Sequence, residues 1–217
     1  MARKISFAPD EFYHIYNRGN DKQIIFKRDQ DQERFLKLLY LCNGQKPFHF
    51  FYLEKGKEYE FDRGESLVDI ISYCLMDNHF HILVKEKQDR GISNFMHRVA
   101  TSYTMYFNKL NERKGRLFEN NFQAKHLDSE QYLQYAHAYI HLNPIKIIEP
   151  NWKERGLKNN SKTEKFLNDY RFSSYLDWLE ITRPENKIIN KAAYPYFETQ
   201  KEFNDYLQDL LAYPNEA

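Results

Sequence analysis

The sequence has few of the residues that build cross-linked, fibrous or membrane-spanning proteins. Among 217 residues there are two cysteines, seven glycines and seven prolines. Two thiols make no disulfide framework, and the spacing of Cys42 and Cys74 matches no metal motif. This usage indicates a reducing compartment, so we expect a cytoplasmic protein. The chain shows neither a signal-peptide pattern nor the roughly 18–20 apolar residues that span a bilayer, so no membrane partner is expected.

The chain also lacks an excess of charge of either sign. Its 32 basic residues nearly balance 31 acidic ones, which excludes a basic tail protein and an acidic disordered chain. The length fits one domain, or one domain with an appendage. Aromatic residues are abundant, with 17 Tyr and 17 Phe. They can build a large core, and they form the background from which any catalytic tyrosine must be distinguished.

Hydrophobic periodicity predicts an order of strands and helices, β-α-β-β-α-β-α. The predicted strands are residues 11–17, 67–76, 79–86 and 118–127, and the predicted helices are 29–42, 92–111 and 129–142. This order is typical of an α+β protein with a ferredoxin-like split βαβ antiparallel sheet and helices on one face. Residues 48–61 are compatible with a hairpin or with an irregular insertion.

The division of the chain follows from this order. Residues 1–150 are predicted to form the main domain, with an insertion near 45–65. Residues 151–217 are predicted to form a C-terminal extension of loop and helices. Its polar first part, 150–165, is predicted to be a loop, a short helix is predicted within 170–179, and an acidic amphipathic helix is predicted at 198–212.

The most specific local signal is His79-Phe80-His81 within a predicted strand. Side chains alternate along a strand, so both imidazoles lie on one face while Phe80 points to the other and can enter the core. Two adjacent imidazoles suit a divalent metal. Two exposed histidines on a half-buried strand would give the same pattern, and for an isolated His-x-His motif that is the commoner explanation.

A second signal lies on the helix predicted at 129–142. Tyr139 and Asn143 are four residues apart and therefore share a face. Two imidazoles and an amide oxygen leave positions open for water and phosphate oxygens, which suits Mg²⁺ or Mn²⁺ better than a closed zinc site. Alternatively, Asn143 only ends the helix and Tyr139 packs on the sheet. Tyr132 and Tyr135 lie near the same stripe and are rival phenols.

Five motifs in order resemble the single-tyrosine HUH transposases, in particular the branch of REP-associated tyrosine transposases. The matching segments, which together extend over residues 11 to about 178, are HIYNRG (14–19), LMDNHFHILVK (75–85), GRLFENNFQAKHL (115–127), YAHAYIHLNP (135–144) and YRFSSY (170–175). Any one motif alone is weak evidence, whereas their common order and spacing make the resemblance specific. The insertion near 45–65 and the acidic C-terminal helix lie outside that pattern.

The resemblance implies roles for four residues. It implies that His79 and His81 bind a divalent metal, Mg²⁺ or Mn²⁺, that Asn143 completes the site, and that Tyr139 is the nucleophile. The implied activity is that of a transposase, a metal-dependent endonuclease and strand transferase that cleaves hairpin-bearing single-stranded DNA through a covalent 5′-phosphotyrosine. Residues 1–150 would then be the catalytic domain. In this family the tyrosine acts within one protomer or across a homodimer, and both arrangements stay open.

Positive charge is concentrated near these motifs. Nine basic and four acidic residues lie between Lys85 and Lys125, as contact with a phosphate backbone requires. An ordinary solvated helix surface would look the same on charge alone. The residues predicted to contact single-stranded or hairpin DNA are Arg18, Arg98, Lys109, Arg113, Lys114, Arg116, Lys125 and Lys146.

Two other functions stay open from the sequence. A catalytically inactive regulator that binds hairpin DNA would keep the basic surface and form no covalent adduct. A zinc hydrolase built on His79, His81 and His141 would work without a nucleophilic tyrosine. The second is less favoured, because no carboxylate or cysteine cluster accompanies these histidines.

Overall fold

The computed structural model describes residues 6–197 and 199–212. At its centre lies a four-stranded sheet in the order β2-β3-β1-β4, with each neighbouring pair antiparallel. This is the arrangement of a ferredoxin-like split βαβ unit, so the predicted α+β class is confirmed. The strands are β1 (Phe12–Arg18), β2 (Val68–Met76), β3 (His79–Glu86) and β4 (Gln123–His126).

The predicted helices of the main domain form within one residue of their expected bounds. The helix predicted at 198–212 begins at residue 200, and residue 198 lies outside the described residues. Two helices, Trp152–Arg155 and the first part of Asn160–Asp169, lie in the stretch 150–165, for which a loop was the prediction. In chain order the helices of the described ranges are α1 (Asp29–Cys42), α2 (Gly91–Leu110), α3 (Glu130–Leu142), α4 (Ile145–Ile148), α5 (Trp152–Arg155), α6 (Asn160–Asp169), α7 (Tyr175–Trp178) and α8 (Gln200–Ala212).

Helices cover both faces of the sheet. The helices α1 and α2 pack on the face that carries Phe80, Ile82 and Val84 of β3. The helix α3 and the C-terminal helices pack on the opposite face, in a second apolar cluster that includes Leu83 and Ile71. The predicted placement of helices on one face therefore holds for α1 and α2 only. The reason is β2, which is apolar and buried on both sides and so requires cover on each.

The segment YRFSSY closes the outer edge of β2. The backbone N–H of Ser174 donates to the carbonyl of Tyr73 at 2.9 Å, and the Ser174 hydroxyl accepts from the backbone N–H of Tyr73 at 2.9 Å. Beside this contact Arg183 donates to the buried carboxylate of Asp177 at 2.6 Å and to the Tyr73 hydroxyl at 3.0 Å. These bonds satisfy backbone groups that an exposed edge strand would leave unpaired, and they fasten the C-terminal extension to the sheet.

The insertion at residues 45–65 is irregular. Within it the structure contains two short 3₁₀ turns, Phe50–Tyr52 and Glu58–Glu60, and no strand, so the hairpin alternative is excluded. The side-chain oxygen of Asn43 holds the far end of the insertion, because it accepts from the backbone N–H groups of Leu67 and Val68, each at 3.0 Å. In the described ranges, none of the helices is long and apolar enough to cross a membrane.

Two histidines occupy core positions in the second apolar cluster. His137 and His141 are fully buried on α3, and the His137 ring lies 4.5 Å from Trp178 and 4.6 Å from Tyr194 between centroids. Burial lowers the pKa of His141 to about 3 and that of His137 well below its ordinary value. Both rings are therefore neutral in the folded protein, because the low-dielectric core disfavours the charged form.

Acid should destabilise the protein through these two rings. As the pH falls below about 6.5, the unfolded chain binds a proton at each histidine while the folded chain does not, so the free energy of unfolding decreases. Between pH 6.5 and about 5, His141 alone should account for roughly 2 kcal/mol, at about 1.4 kcal/mol for each pH unit. Urea unfolding followed across this range measures the effect.

His137→Phe is the matching variant, because a phenyl ring fits the aromatic surroundings and does not titrate. It should make stability less dependent on pH. His97→Gln is the control, since His97 is exposed on α2, and it should leave the dependence as in the wild type. Equal pH dependence for wild type and His137→Phe would show that His137 does not contribute.

Candidate active site between the sheet and helix α3

Both imidazoles of the His-Phe-His motif lie on one face of β3, as the alternation predicted. Phe80 is buried on the other face, against α1 and α2. The rings of His79 and His81 lie 5.1 Å apart between centroids. His79 is half-buried, whereas His81 is only 8% exposed, so it stands at the base of a recess.

The neighbouring strand β1 adds two rings to the same face. The register places Tyr16 directly opposite His81, and the side chain of His14 lies diagonally across from it. Nε2 of His14 is 2.9 Å from Nδ1 of His81, so one ring donates the shared proton and the other accepts it. This hydrogen bond fixes the orientation of the His81 ring and does not involve the other nitrogen of that ring, Nε2.

Tyr139 reaches this face from α3. Its ring centroid lies 5.7 Å from that of His81 and 6.3 Å from that of His14. The side chain is half-buried, and α3 brings it here because the helix packs across β2 and β3. The predicted convergence of a phenol with the paired imidazoles is therefore observed within one protomer.

Two lysines accompany Tyr139. Lys146 Nζ donates to the Tyr139 hydroxyl at 3.2 Å. Lys153 Nζ lies 4.3 Å from the centroid of the Tyr139 ring and donates to the hydroxyl of Tyr135 at 2.7 Å. The Tyr135 ring in turn stacks beside Tyr139 at 6.1 Å. Lys146 belongs to the predicted set of DNA contacts; Lys153 was missed, because it lies in the stretch that was predicted to be a loop.

Tyr139, His79 and His81 line a cleft of about 590 Å³, which we call the His-Tyr cleft. Across it from Tyr139, Arg18 and Glu119 form an ion pair at 3.0 Å. Its size suits a nucleotide unit rather than a large folded ligand. The lining residues are Tyr16, Asn17, Arg18, Asn78, His79, His81, Glu119, Asn120, Gln123 and Tyr139.

Asn143 is placed differently from the other predicted site residues. It is 1% exposed at the end of α3 and does not line the His-Tyr cleft. Its amide oxygen and nitrogen both lack a hydrogen-bond partner among the described residues. A buried amide without partners is costly, so a ligand that satisfied its oxygen would be stabilising. The role of Asn143 as a metal ligand stays a prediction.

Burial keeps the imidazoles of the cleft neutral. It lowers the pKa of both His79 and His14 to about 4, and it lowers the pKa of His81 well below its ordinary value, with His14 and His79 adding to the effect. A neutral imidazole is the form that binds a divalent metal. Two neutral imidazoles side by side fit an open divalent site, and the amide of Asn143 is an unpartnered oxygen donor at the end of α3, outside the lining of the His-Tyr cleft.

The zinc alternative is not supported by the positions of the histidines. His141 belongs to the buried aromatic cluster, and its Nε2 lies 2.8 Å from the hydroxyl of Ser174. It therefore does not join His79 and His81. Across the part of the chain that the structure describes, no group of three or more His, Cys, Asp or Glu residues is placed to hold a metal ion.

The predicted DNA contacts have different surroundings. Arg18 lines the His-Tyr cleft, and Arg98 donates to the backbone oxygens of Gly44 and Lys46, which ties the insertion to α2. Arg113 is half-buried beside Phe107. The remaining four, on α2, the following loop and β4, are exposed: Lys109, Lys114, Arg116 and Lys125.

Comparisons with known proteins agree with this geometry. Residues 63–143, which include both histidines of the motif as well as Tyr139 and Asn143, match the family model described as "Transposase IS200 like". Among solved structures, the chain is similar to "Structure of the REP associates tyrosine transposase bound to a REP hairpin", with a TM-score of 0.51 and 10% identity. The similarity covers 85% of this chain and 90% of that one. A search of curated proteins gives no match.

At 10% identity the structural similarity shows a shared fold, and the match to the family model covers residues 63–143. The resemblance is thereby confirmed: the chain matches the IS200-like transposases over residues 63–143 and has the fold of a REP-associated tyrosine transposase.

Proposed function

We propose that this protein cuts and rejoins single-stranded DNA in the His-Tyr cleft, with Tyr139 as the nucleophile. The observation that carries the proposal is the convergence of Tyr139 with His81, 5.7 Å apart between rings, beside a cleft of about 590 Å³. A phenol, neutral imidazoles and ammonium groups together are the components of covalent phosphoryl transfer.

His79 and His81, with the amide oxygen of Asn143, would hold Mg²⁺ or Mn²⁺. Such an ion supplies Lewis acidity at a non-bridging phosphate oxygen. His14 is a positioning residue in this scheme, because its hydrogen bond to His81 fixes one ring nitrogen and leaves the other for a ligand. Metal-binding imidazoles commonly depend on such a partner at the second nitrogen.

The reaction is a relay of phosphodiester bonds. Oη of Tyr139 attacks the scissile phosphorus and forms a new P–O bond, while the bond to the 3′ oxygen breaks. The phenol loses a proton, and the departing oxygen gains one to become a 3′-hydroxyl. A 3′-hydroxyl later attacks the phosphotyrosine, which rejoins a strand and restores the phenol without an external energy source.

The two lysines fit this step. The ammonium group of Lys146, 3.2 Å from Oη, would place positive charge beside the phosphate that Oη attacks, whose oxygens carry negative charge in the transition state. Lys153 lies over the Tyr139 ring and holds the stacked Tyr135, so it fixes the orientation of the phenol.

The proposed substrate is DNA that carries a hairpin. The solved structure of similar fold is bound to a REP hairpin, and Arg18, Arg116 and Lys125 offer cationic groups near the His-Tyr cleft and the sheet edge beside it. A cytoplasmic location and a homodimer stay predictions.

Replacing Tyr139 by Phe should abolish covalent attachment to DNA, because the attacking oxygen is removed while the ring remains. The assay uses a labelled pool of hairpin-bearing single strands with randomised flanks, Mn²⁺, and a denaturing gel that reveals the protein–DNA adduct. The pool should still bind the variant.

Tyr135→Phe is the matched control, since Tyr135 is the neighbouring phenol on the same helix face, and it should still form the adduct. If the adduct persists with Tyr139→Phe and disappears with Tyr135→Phe, Tyr135 is the nucleophile. Binding without any adduct in the wild type would instead identify a hairpin-binding regulator.

Lys146→Met should slow adduct formation about a hundredfold, because it removes a charge that acts in the transition state and keeps a side chain of similar length. Lys153→Met should slow it less, since Lys153 contacts the ring and not the attacking oxygen. Single-turnover rates at saturating DNA measure both effects. An unchanged rate for Lys146→Met would show that Lys146 takes no part in the chemical step.

Affinity for Mn²⁺ should change little between pH about 7.5 and 5.5. Histidines with the ordinary pKa near 6.5 would lose roughly a hundredfold in affinity over this range, because two protons compete with the ion. Here the pKa of His79 is held at about 4, and that of His81 well below its ordinary value, so neither ring is appreciably protonated. Electron paramagnetic resonance of free Mn²⁺ gives the dissociation constant at each pH.

The double variant His79→Ala/His81→Ala is the control, and it should not bind Mn²⁺ at either pH. A tenfold loss of affinity for Mn²⁺ in the wild type between the two pH values would contradict the expectation.

A further inference from the structure

Two more grooves continue from the His-Tyr cleft across the surface. The first, about 710 Å³, lies between α2 and the segment 115–122, and it shares Asn17 and Asn120 with the cleft. The second, about 1010 Å³, lies between α1, α2 and the segment 47–51 of the insertion. The two grooves share three residues of α2, which are His97, Thr101 and Met105. The three grooves are therefore adjacent, and we call the two outer ones the α2 track, which lies between the cleft and the insertion.

The walls of the α2 track carry charge of one sign. Arg116 lines the first groove, and the second is lined by Arg34, Arg98 and Lys109. Of the described residues that line either groove, none is a carboxylate. The chain contains 31 acidic residues, so an ordinary solvated surface of this extent would be expected to include some of them. A cationic wall without carboxylates is complementary to a phosphate backbone.

Exposed aromatic rings stand at the far end of the α2 track. Phe51 and Tyr52 are 83% and 81% exposed on the 3₁₀ turn of the insertion. The same insertion buries Tyr59, and the preceding Phe50 packs against the guanidinium of Arg34 at 3.2 Å. The fold of the insertion therefore does not need the two exposed rings, and adjacent exposed rings mark a site of interaction.

We propose that the α2 track binds unpaired DNA, with phosphates along the basic walls and bases stacked on Phe51 and Tyr52. Aromatic rings next to cations are the components by which proteins hold single strands without reading their sequence. The inference rests on the proposed function for its occupant, which would be the continuation of the strand cut at Tyr139. It assigns a role to an insertion that lies outside the family pattern.

Fluorescein-labelled oligothymidine tests this inference, because it offers bases for stacking and has no stem. Fluorescence anisotropy gives Kd for the wild type, for Phe51→Ala/Tyr52→Ala and for Lys109→Glu. Loss of both rings should raise Kd about tenfold, as expected when one stacked base is lost. Lys109→Glu should also raise Kd and should reduce the salt dependence by about one phosphate contact. A blunt DNA duplex without unpaired bases should bind wild type and double variant equally.

The matched controls are Ile181→Ala and Lys162→Glu, which change exposed residues of the C-terminal extension outside the α2 track. Both should bind oligothymidine as the wild type does. The double variant should keep the thermal midpoint of the wild type, since neither ring is buried. Equal Kd values for wild type and double variant would overturn the inference. Analytical sedimentation gives a second test. If the wild type forms a dimer and the double variant does not, the inference is also overturned, because the two rings would then be a contact between copies of the chain.

The adduct assay separates this inference from the proposed function. The double variant keeps Tyr139 and the cleft histidines, so it should form the adduct at the wild-type rate when DNA is saturating. If the wild type forms no adduct but the double variant still loses affinity for oligothymidine, the inference about the α2 track is supported and the proposed cleavage is contradicted. If the adduct forms and wild type and double variant bind oligothymidine equally, the proposed cleavage is supported and the inference about the α2 track is contradicted.

Discussion

The register between β1 and β3 is the constraint on which the His-Tyr cleft depends. Because side chains alternate along a strand, a slip of one residue would turn His79 and His81 into the core and bring Phe80 to the cleft. Packing on the other face prevents such a slip, since Phe80 lies 4.9 Å from Phe35 between rings and Ile15 is fully buried. The apolar side of each strand therefore determines which polar groups meet on the opposite side.

The helix α3 uses two of its sides for different purposes. Tyr139 lines the cleft with Tyr135 stacked beside it, while His137 and His141, four residues apart, enter the aromatic cluster below. These two buried imidazoles are neutral, and most of their ring nitrogens have no hydrogen-bond partner. They therefore fill space in the cluster more than they form hydrogen bonds. The cluster holds the helix against the sheet, and the phenols are consequently presented from a fixed support.

The sequence was sufficient to predict the parts of the site that follow from local periodicity. Alternation along β3 predicted which face holds His79 and His81, and Tyr139 of α3 reaches that face, whereas Asn143 lies outside the lining of the His-Tyr cleft. It was not sufficient for contacts between distant segments. The bond from His14 to His81 joins residues 67 apart, and the approach of Lys153 to Tyr139 depends on the path of the C-terminal extension. Neither leaves a pattern along the chain.

The same limit explains the remaining differences between the predicted fold and the observed one. Periodicity shows that a helix has an apolar stripe, but it does not show which face of a sheet that stripe will cover, so the prediction of helices on one face did not hold for α3. The extended stretch predicted at 118–127 forms a ladder only at Gln123–His126, where β1 offers pairing partners, and Phe118 makes an isolated bridge with Gly19.

The division of charge in the cleft shows why the C-terminal part of the chain belongs to the site. The strands supply imidazoles that burial keeps neutral, and a neutral ring leaves a lone pair for a metal ion. Positive charge for a phosphate comes instead from Lys146 and Lys153, whose ammonium groups have no lone pair and do not compete for the ion. Both lysines lie beyond residue 143, where the family match ends. The proposed chemistry therefore needs residues that follow the matched segment, and one of them, Lys153, lies in the C-terminal extension.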